Sequence, residues 1–450
     1  MVHTLATIAS RLLVTAAALS STAAAEELPV ADAIRAAWSG NPGLAAGAHQ
    51  VEAARAEAQG AHGGHWPTLA VTAKGVGTSE PVGVFGTKLD EQRITQADFN
   101  PATLNSPGPA GGVGLGAAVI LPIWMGGRIT SGERAADAQA GAEANSQVRR
   151  RQEMALAVVE AYFAVQVAAQ GVQYADDALE HAREVERFLR QRNQKGLVLD
   201  ADAARGTAFR AQAEAEREAV LRQLGSARSA LAMLTGLDTR RVELVTPVEA
   251  APAAALPGAP GAAGAPASPS PERPDVAAAR LRSRAAEESI GVSRASLLPE
   301  VFAQAGLDTL RGASAQGATW WSAALVVRWQ IGVSSVRNLE AAEARAAAAA
   351  SAARWQEVQA SREVDEARRA GAAAEARVRS AREAVAASES ARELRQARYR
   401  QGLLPLTEVL DAEAALAGAR SLLLDSQLES RIARAQLDLA LGLPIEGVES

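Results

Sequence analysis

The eight residues KGLVLDAD at 195–202 return as QGLLPLTE at 401–408, with the glycine-leucine pair in the same place. The offset between the two glycines is 402 − 196 = 206 residues. The same offset relates AADA at 135–138 to AAEA at 341–344, and Gly236-Leu237 to Gly442-Leu443. A register without gaps over this length indicates two copies of one structural unit, and such a repeat decides the architecture before any local pattern does.

The first copy is longer than the second near its start. Pro42 matches Pro274 and Pro67 matches Pro299, each with an offset of 274 − 42 = 232 residues. The first copy therefore carries 232 − 206 = 26 additional residues between Pro67 and Ala135, where glycine and proline are frequent. Because insertions collect in loops, the sequence predicts a longer loop here.

The composition excludes several classes of function. The chain has no cysteine, five histidines, 4% aromatic residues and a net charge of −5. Disulfides, thiolate metal sites and cysteine nucleophiles are therefore excluded, and no basic surface suggests nucleic acid. His62 and His65 are the one local pair of possible metal ligands, but the two glycines between them are more typical of a helix end. We expect neither an enzyme, a cofactor nor a metal.

The N-terminus has the pattern of a secretory signal peptide. Arg11 precedes an apolar run at 12–19, and three alanines at 23–25 form a cleavage site. Residues 1–25 are therefore predicted to be a signal peptide, with a short N-terminal helix as the alternative. No later run was expected to approach the ~20 apolar residues of a membrane helix.

Each copy opens with a helix, predicted at about 30–62 and 275–297, followed by a strand hairpin. Trp321, Leu325 and Trp329 share one apolar face of a period-two pattern, which is typical of a strand. Strands of about ten residues can span an outer membrane, and the two tryptophans would form its aromatic girdle. A soluble β-ribbon with one buried face is the alternative.

A long helix follows each hairpin, at about 131–192 and 339–400, with apolar residues at coiled-coil spacing. Each ends at a glycine turn, from which a shorter helix returns to about Leu234 or Leu441. Residues 239–272 are rich in proline, alanine and glycine and are predicted to be a linker. The first repeat is thus assigned to 26–238 and the second to 273–450.

Four strands per chain are too few for a closed membrane barrel, which needs at least ~8. Open sheet edges cannot face lipid, because each unpaired backbone group there costs several kcal/mol. If the strands lie in a membrane, several chains must share one barrel, and the helices must continue into water.

The order of these motifs resembles the TolC family of outer-membrane efflux proteins over nearly the whole mature chain. The resemblance implies a mainly α fold with β strands, in which a homotrimer shares a twelve-stranded β-barrel in outer-membrane lipid. It also implies a twelve-helix α-barrel in the periplasm, formed by the long coiled-coil helices. Such a channel docks on a periplasmic adaptor and an inner-membrane transporter and acts as a passive conduit.

The resemblance also implies roles for individual residues. It implies that the helix tips dock on the adaptor: Gly196, Leu197, Val198, Gly402, Leu403 and Leu404. It implies that Glu408 and Asp411 narrow the periplasmic mouth, and that Tyr399 and Asp202 belong to the bonding network of the gate that keeps it closed. The position of the family's gate arginine is Leu404 here, so closure would depend on other contacts, such as those of Arg398 or Arg400.

Two other classes of function remain open from the residues alone. A periplasmic coiled-coil scaffold that never enters lipid is the first, and a freely soluble protein would favour it. An enzyme is the second, but it would need a cleft that long helices do not provide. The sequence does not identify the transported substrate.

Overall fold

A computed structural model describes residues 26–249, 273–312 and 317–448. The predicted signal peptide at 1–25 and most of the predicted linker lie outside these described residues. The chain forms two compact units, and each combines parts of both repeats. The first unit takes in residues 1–48, 147–274 and 358–450, and the second takes in 49–146 and 275–357.

The helices and strands follow the repeated order that the sequence predicts. The helices are α1 (Val30–Gly40), α2 (Pro42–His62), α3 (Pro81–Asp90), α4 (Pro101–Asn105), α5 (Arg128–Gln194), α6 (Asp200–Thr235), α7 (Pro274–Ala295), α8 (Val333–Arg400) and α9 (Leu406–Leu441). The strands are β1 (Glu26–Leu28), β2 (Thr68–Thr78), β3 (Ala110–Trp124), β4 (Val242–Leu244), β5 (Glu300–Gly312) and β6 (Gly317–Arg328).

The first predicted helix is in fact two helices. α1 ends at Gly40 and α2 begins at Pro42. Asn41 between them has an extended backbone with ψ of 119°, as expected before proline, whose ring disfavours the helical conformation of the preceding residue. Pro42 also lacks the N–H that would continue the hydrogen-bond ladder. The expectation of one continuous helix at 30–62 was therefore wrong.

The hairpins of long helices keep the 206-residue offset at their boundaries. α6 and α9 begin at Asp200 and Leu406, and they end at Thr235 and Leu441. Both are closed by a left-handed glycine, with φ of 73° at Gly236 and 74° at the equivalent position of the second copy. The duplication predicted from sequence is thus present in the coordinates of the helices.

The core of the first unit forms around the middle of α5. Val158, Val159, Tyr162 and Phe163 are fully buried and pack in one hydrophobic cluster. The Tyr162 hydroxyl donates to the Leu28 carbonyl at 2.7 Å. It also accepts from the backbone N–H of residue 246 at 3.0 Å, which fixes the chain beside β4.

α5 also contains a window of 18 residues that is long and apolar enough to cross a membrane, where none was expected from the sequence. Length and composition are the only grounds for this, and 44% of the window is buried within the protein. The side chains of the buried cluster belong to this helix, so packing accounts for its apolar character.

β1 and β4 form a short parallel pair that the sequence did not predict. β4 lies at the start of the segment assigned to the linker, where no periodicity is visible. Strands of three residues are too short to show an alternating pattern, and this explains why they were missed.

The four long strands form one antiparallel sheet in the second unit, in the order β2-β3-β5-β6. Each repeat contributes one hairpin, and β3 pairs with β5 to join the two copies. The connection from β2 to β3 holds α3 and α4, and the additional residues of the first copy lie in this connection. Residues 313–316, which join β5 to β6, lie outside the described residues.

Candidate functional site

One face of the four-stranded sheet is apolar and exposed to its surroundings. We call it the apolar face; its large exposed side chains are Leu69, Val71, Val113, Leu115, Val119, Leu121, Leu307, Trp321, Leu325 and Val327. The strand register places them side by side, as in Leu69 beside Val119 and Leu307 beside Trp321. A contiguous apolar surface of this kind marks a surface that meets lipid or another protein.

The opposite face, which we call the polar face, carries small, polar and charged groups. Thr72 pairs with Gly116, which in turn pairs with Asp308. Lys74 pairs with Gly114 in the next step of the same register. The sheet is therefore apolar on one side and polar on the other, as the period-two pattern predicts.

Tryptophans lie near both ends of the apolar face. Trp321 is 77% exposed and Trp329 is 62% exposed. Trp66 and Trp124, which sequence reasoning missed, are also exposed and lie where β2 begins and β3 ends, at the same sheet end as Trp329. Their interfacial position could have been predicted from the sequence, because each tryptophan lies at the boundary of a predicted strand. Exposed tryptophans at strand ends are typical of a membrane interface.

Replacing Trp329 with Ala is expected to lower the temperature at which the detergent-solubilised protein unfolds. Its indole N–H donates to the Leu297 carbonyl at 3.1 Å, and loss of that hydrogen bond alone costs about 1 kcal/mol. Heated and unheated samples compared by gel electrophoresis measure the change.

Trp355→Ala is the matched control, since Trp355 is equally exposed at 61% but belongs to α8. A Trp329 variant no less stable than this control would contradict an interfacial role for Trp329.

The two edges of the sheet are formed by β2 and β6. In the described residues, neither edge strand is paired on its outer side. Exposed edges of eleven and twelve residues promote pairing with another chain. The sheet is thus incomplete by itself if its apolar face meets lipid.

The first tip is a tight turn between α5 and α6. Gly196 has a left-handed backbone with φ of 69°, and the N–H of Leu197 donates to the Arg192 carbonyl at 2.9 Å. The Asn193 side chain closes the turn by donating to the Val198 carbonyl at 3.1 Å. The Leu197 side chain remains 67% exposed, and Val198 is half-buried.

The second tip repeats this geometry between α8 and α9. Gly402 has φ of 78°, and the N–H of Leu403 donates to the Arg398 carbonyl at 3.0 Å. Leu403 is also 67% exposed, whereas Leu404 is half-buried. Both turns therefore present the leucine that follows a left-handed glycine to solvent, and the first turn also exposes Leu199. A bulkier residue would strain the left-handed backbone at either glycine.

The helices beneath the two tips are stabilised differently. In the second hairpin, Leu406, Val409 and Leu416 are buried. The positions 206 residues earlier are Asp200, Ala203 and Arg210. At one of these three positions the first hairpin has the ionic contacts of Arg210, where the second hairpin buries Leu416.

Glu186 is the centre of those ionic contacts. It is buried and pairs with Arg210 at 3.2 Å and with Arg190 at 2.8 Å. Removing either arginine would leave this buried carboxylate poorly compensated, which is destabilising.

Glu408 and Asp411, the predicted constriction residues, lie one turn apart at the start of α9. The carboxylate of Glu408 pairs with Arg395 of α8 at 3.6 Å. Asp411 is exposed. Sequence reasoning missed Arg395, although its position in the last turns of α8 favours contact with the opposing helix start.

Tyr399 lies in a cluster that joins the two tips. Its ring meets Phe188 edge to face, with centroids 6.0 Å apart, and the Arg192 guanidinium lies 4.6 Å above the Phe188 ring. Burial and the Asp202 charge raise the pKa of Tyr399, and the charge of Arg192 opposes this rise. Asp202 also pairs with Arg205 at 3.8 Å.

Asp202 is close enough for its charge to act on Tyr399, and the role of the two residues in closing the mouth stays a prediction. The arginine whose charge acts on the tyrosine is Arg192 of the first hairpin. From the sequence, Arg398 and Arg400 are the candidates, because they lie beside Tyr399 in the same helix. Arg192 lies before the other turn, and the sequence does not show that the two tips are in contact. Arg192 corresponds to Arg398 under the 206-residue offset.

His62 and His65 contact two acids of α5. His62 lies 3.1 Å from Asp137 and 3.4 Å from Glu133, and His65 lies 3.3 Å from Glu133. The hydrogen bond that the His62 ring donates to the Asp137 carboxylate raises the pKa of His62. Across residues 26–249, 273–312 and 317–448, no group of three or more His, Cys, Asp or Glu residues is arranged to hold a metal ion.

Several solved structures share this fold. A membrane protein from Pseudomonas aeruginosa is 24% identical, with a TM-score of 0.77 over 94% of this chain and 92% of its own. The outer membrane protein VceC of Vibrio cholerae is 21% identical, with a TM-score of 0.74 over 92% and 96%. The open state of the MtrE outer membrane channel of Neisseria gonorrhoeae is 21% identical, with a TM-score of 0.71 over 96% and 95%.

The sequence itself identifies the family. A search of curated proteins found no match. The sequence profile of the outer membrane efflux proteins matches residues 33–237 and 271–443, which cover both repeats. The expected resemblance is thereby confirmed, as is the location in the outer membrane. The chain belongs to the outer membrane efflux protein family, and it is an efflux channel of that membrane.

Proposed function

We propose that the chain acts as a homotrimer, in which three sheets close one twelve-stranded barrel and the helical hairpins form a periplasmic tube. The observation that carries this proposal is the four-stranded sheet with one exposed apolar face and two open edges. Only pairing between chains satisfies both edges in lipid. Three chains supply twelve strands, a number within the range of membrane barrels.

The polar face would then line the lumen of the barrel. Its residues include Lys74, Asp308 and Arg328, which are costly to expose to hydrocarbon but compatible with a water-filled pore. The apolar face with its tryptophans would meet the lipid. The difference between the two faces favours a membrane channel rather than a scaffold that stays in the periplasm.

The acids near the second tip would narrow the periplasmic mouth. Threefold symmetry would place three copies of Glu408 and three of Asp411 around one axis, and a ring of carboxylates favours cations. The Tyr399 cluster with Phe188, Arg192 and Asp202 connects the two hairpins of one chain. Through these contacts it would hold the mouth closed at rest.

The leucines of the two tips would dock on a periplasmic adaptor. Leu197 and Leu403 are exposed at the ends of rigid helices, and apolar side chains on rigid turns are suited to docking. An inner-membrane transporter would supply the energy, and the channel itself would be a passive conduit.

The trimeric state is tested with protein that has been extracted from the outer membrane in detergent. Chemical cross-linking is expected to give dimers and trimers as the largest products, and unheated samples are expected to migrate differently from heated ones. Membrane fractionation should recover the protein with the outer membrane. A monomer released freely from the periplasm would contradict the channel and favour the scaffold.

A further inference from the structure

The connection between β2 and β3 is a folded structure of its own. We call residues 79–109 the outer loop. Its Lys88 pairs with Asp98 at 2.7 Å, and the rings of Phe85 and Phe99 meet edge to face at 5.7 Å. Thr95 and Asp98 form a reciprocal capping box. These contacts hold a defined conformation, in contrast to a flexible insertion that merely tolerates extra length.

The outer loop covers the end of the polar face. Glu91 of the loop is fully buried. A Cβ atom on Gly312 would lie 2.5 Å from its carboxylate oxygen, and one on Gly112 would lie 2.9 Å from it. Gly112 and Gly312 are direct partners in the register. The Glu91 carboxylate therefore lies on two adjacent strands, in the space that two missing side chains leave.

The register assigns this contact to the polar face. Gly112 and Gly312 are followed by Gly114 beside Leu310, and by Gly116 beside Asp308. Leu310 is 4% exposed, whereas Leu307 on the apolar face is 55% exposed. α3 packs against β3, β5 and β6, and it supplies the cover over this end of the polar face.

We propose that the outer loop narrows the outer mouth of the pore, with Glu91 as the residue that anchors it over Gly112 and Gly312. This rests on the proposed barrel, in which the polar face lines the lumen. Three chains would each fold one loop inward at the same level. The constriction would set the size of solute that enters from outside.

The anchor is held by few favourable contacts. The second oxygen of Glu91 pairs with Arg93, but its Oε1 has no hydrogen-bond partner among the described residues. A buried acceptor without a partner raises the free energy of the state that contains it. Glu91→Ala removes the side chain that fills the space over Gly112 and Gly312, together with its pair to Arg93, so the packing of the loop on the two strands is lost.

The charge of the constriction also follows from the loop. Between residues 80 and 109 there are two basic and four acidic residues, so the net charge is 2 − 4 = −2 per chain. Such a mouth favours cations over anions. Larger and anionic solutes would be excluded from the outside.

The test uses the absence of cysteine from the chain. Asp308→Cys places one thiol on the polar face, four register positions from Gly112 and Gly312. Intact cells are treated with a bulky, membrane-impermeant maleimide and, separately, with a small methanethiosulfonate reagent. In the Glu91→Ala background, labelling by the bulky reagent is expected to be about tenfold faster, while labelling by the small one is unchanged.

A second variant changes the strand side of the contact between Glu91 and Gly312. Gly312→Ala adds a methyl group whose described neighbours are the atoms of the Glu91 carboxyl, so it should also speed bulky labelling. Combined with Glu91→Ala it should add nothing further. The matched controls are Gly75→Ala, which has nothing within 4 Å, and Glu80→Ala, which removes another acid of the loop.

The outcomes separate the two proposals. Equal bulky labelling with and without Glu91 would overturn the constriction while leaving the trimeric channel intact. Failure of even the small reagent to label Cys at position 308 would mean that the polar face does not line a water-filled lumen. That result would overturn both.

Discussion

Replacing both Glu408 and Asp411 with Ala is expected to raise single-channel conductance several-fold and to weaken block by divalent cations about tenfold. In the proposed trimer the change removes six carboxylates from one narrow ring, together with the attraction that holds a cation there. It also breaks the pair between Glu408 and Arg395 at 3.6 Å, which loosens α9 from α8. Recordings in planar bilayers, with and without divalent ions, measure both effects.

The matched control for the gate is Glu383→Ala, which removes an exposed acid from α8 well before the tip. It should leave conductance and cation block unchanged. If the double variant behaves like this control, Glu408 and Asp411 do not form the constriction. The single variants divide the effect, since only Glu408→Ala disturbs the contact with Arg395.

Replacing Leu197 and Leu403 with Ser is expected to weaken binding to the adaptor by at least about tenfold while trimers still form. Each leucine is 67% exposed, and burying one in a partner contributes roughly 1.5–3 kcal/mol. The left-handed glycines before them are retained, so the turns should keep their shape. Cross-linking in cells and binding measured with purified adaptor report the loss.

Leu89→Ser is the matched control, because it makes the same substitution at an exposed leucine far from the tips. Leu89 is 50% exposed and lies in the connection between β2 and β3. It should leave adaptor binding unaffected. Normal cross-linking of the tip variant would exclude the two leucines as the principal contact. Loss of the trimer in the same variant would instead point to a structural role.

The repeated parts of the fold were predictable because two copies constrain each other. The offset of 206 residues placed the boundaries of α6 and α9, and the glycines at 196 and 402 were predicted to reverse the chain. The alternating pattern of β6 gave its apolar face. In each case a local property of the backbone or of side-chain periodicity decides the structure.

Contacts between distant segments were not predictable in the same way. Arg192 acts on Tyr399 from another helix, and Arg395 reaches Glu408 across a turn. Glu91 looks like any loop acid in the sequence, yet it is fully buried. Such contacts depend on the packing of helices and loops, which periodicity does not specify.

The adaptor and gate roles of the tip residues rest on their place in the turns and remain predictions. What the structure adds is their local environment. The side chains of Leu197 and Leu403 are exposed, as is that of Asp411, and Tyr399 is half-buried beside Phe188. These environments make the roles testable by single substitutions.

The different stabilisation of the two hairpins makes the Glu186 region beneath the first tip more sensitive to salt than the three buried apolar positions beneath the second tip. Dissolved ions screen pairs that have an exposed partner more than they screen buried pairs, so the contact of Glu186 with the exposed Arg190 weakens as salt rises. Burial of Leu406, Val409 and Leu416 is not weakened by screening. In the proposed trimer, higher salt would therefore weaken this contact in the first hairpin of each chain and leave the buried side chains beneath the second tip in place.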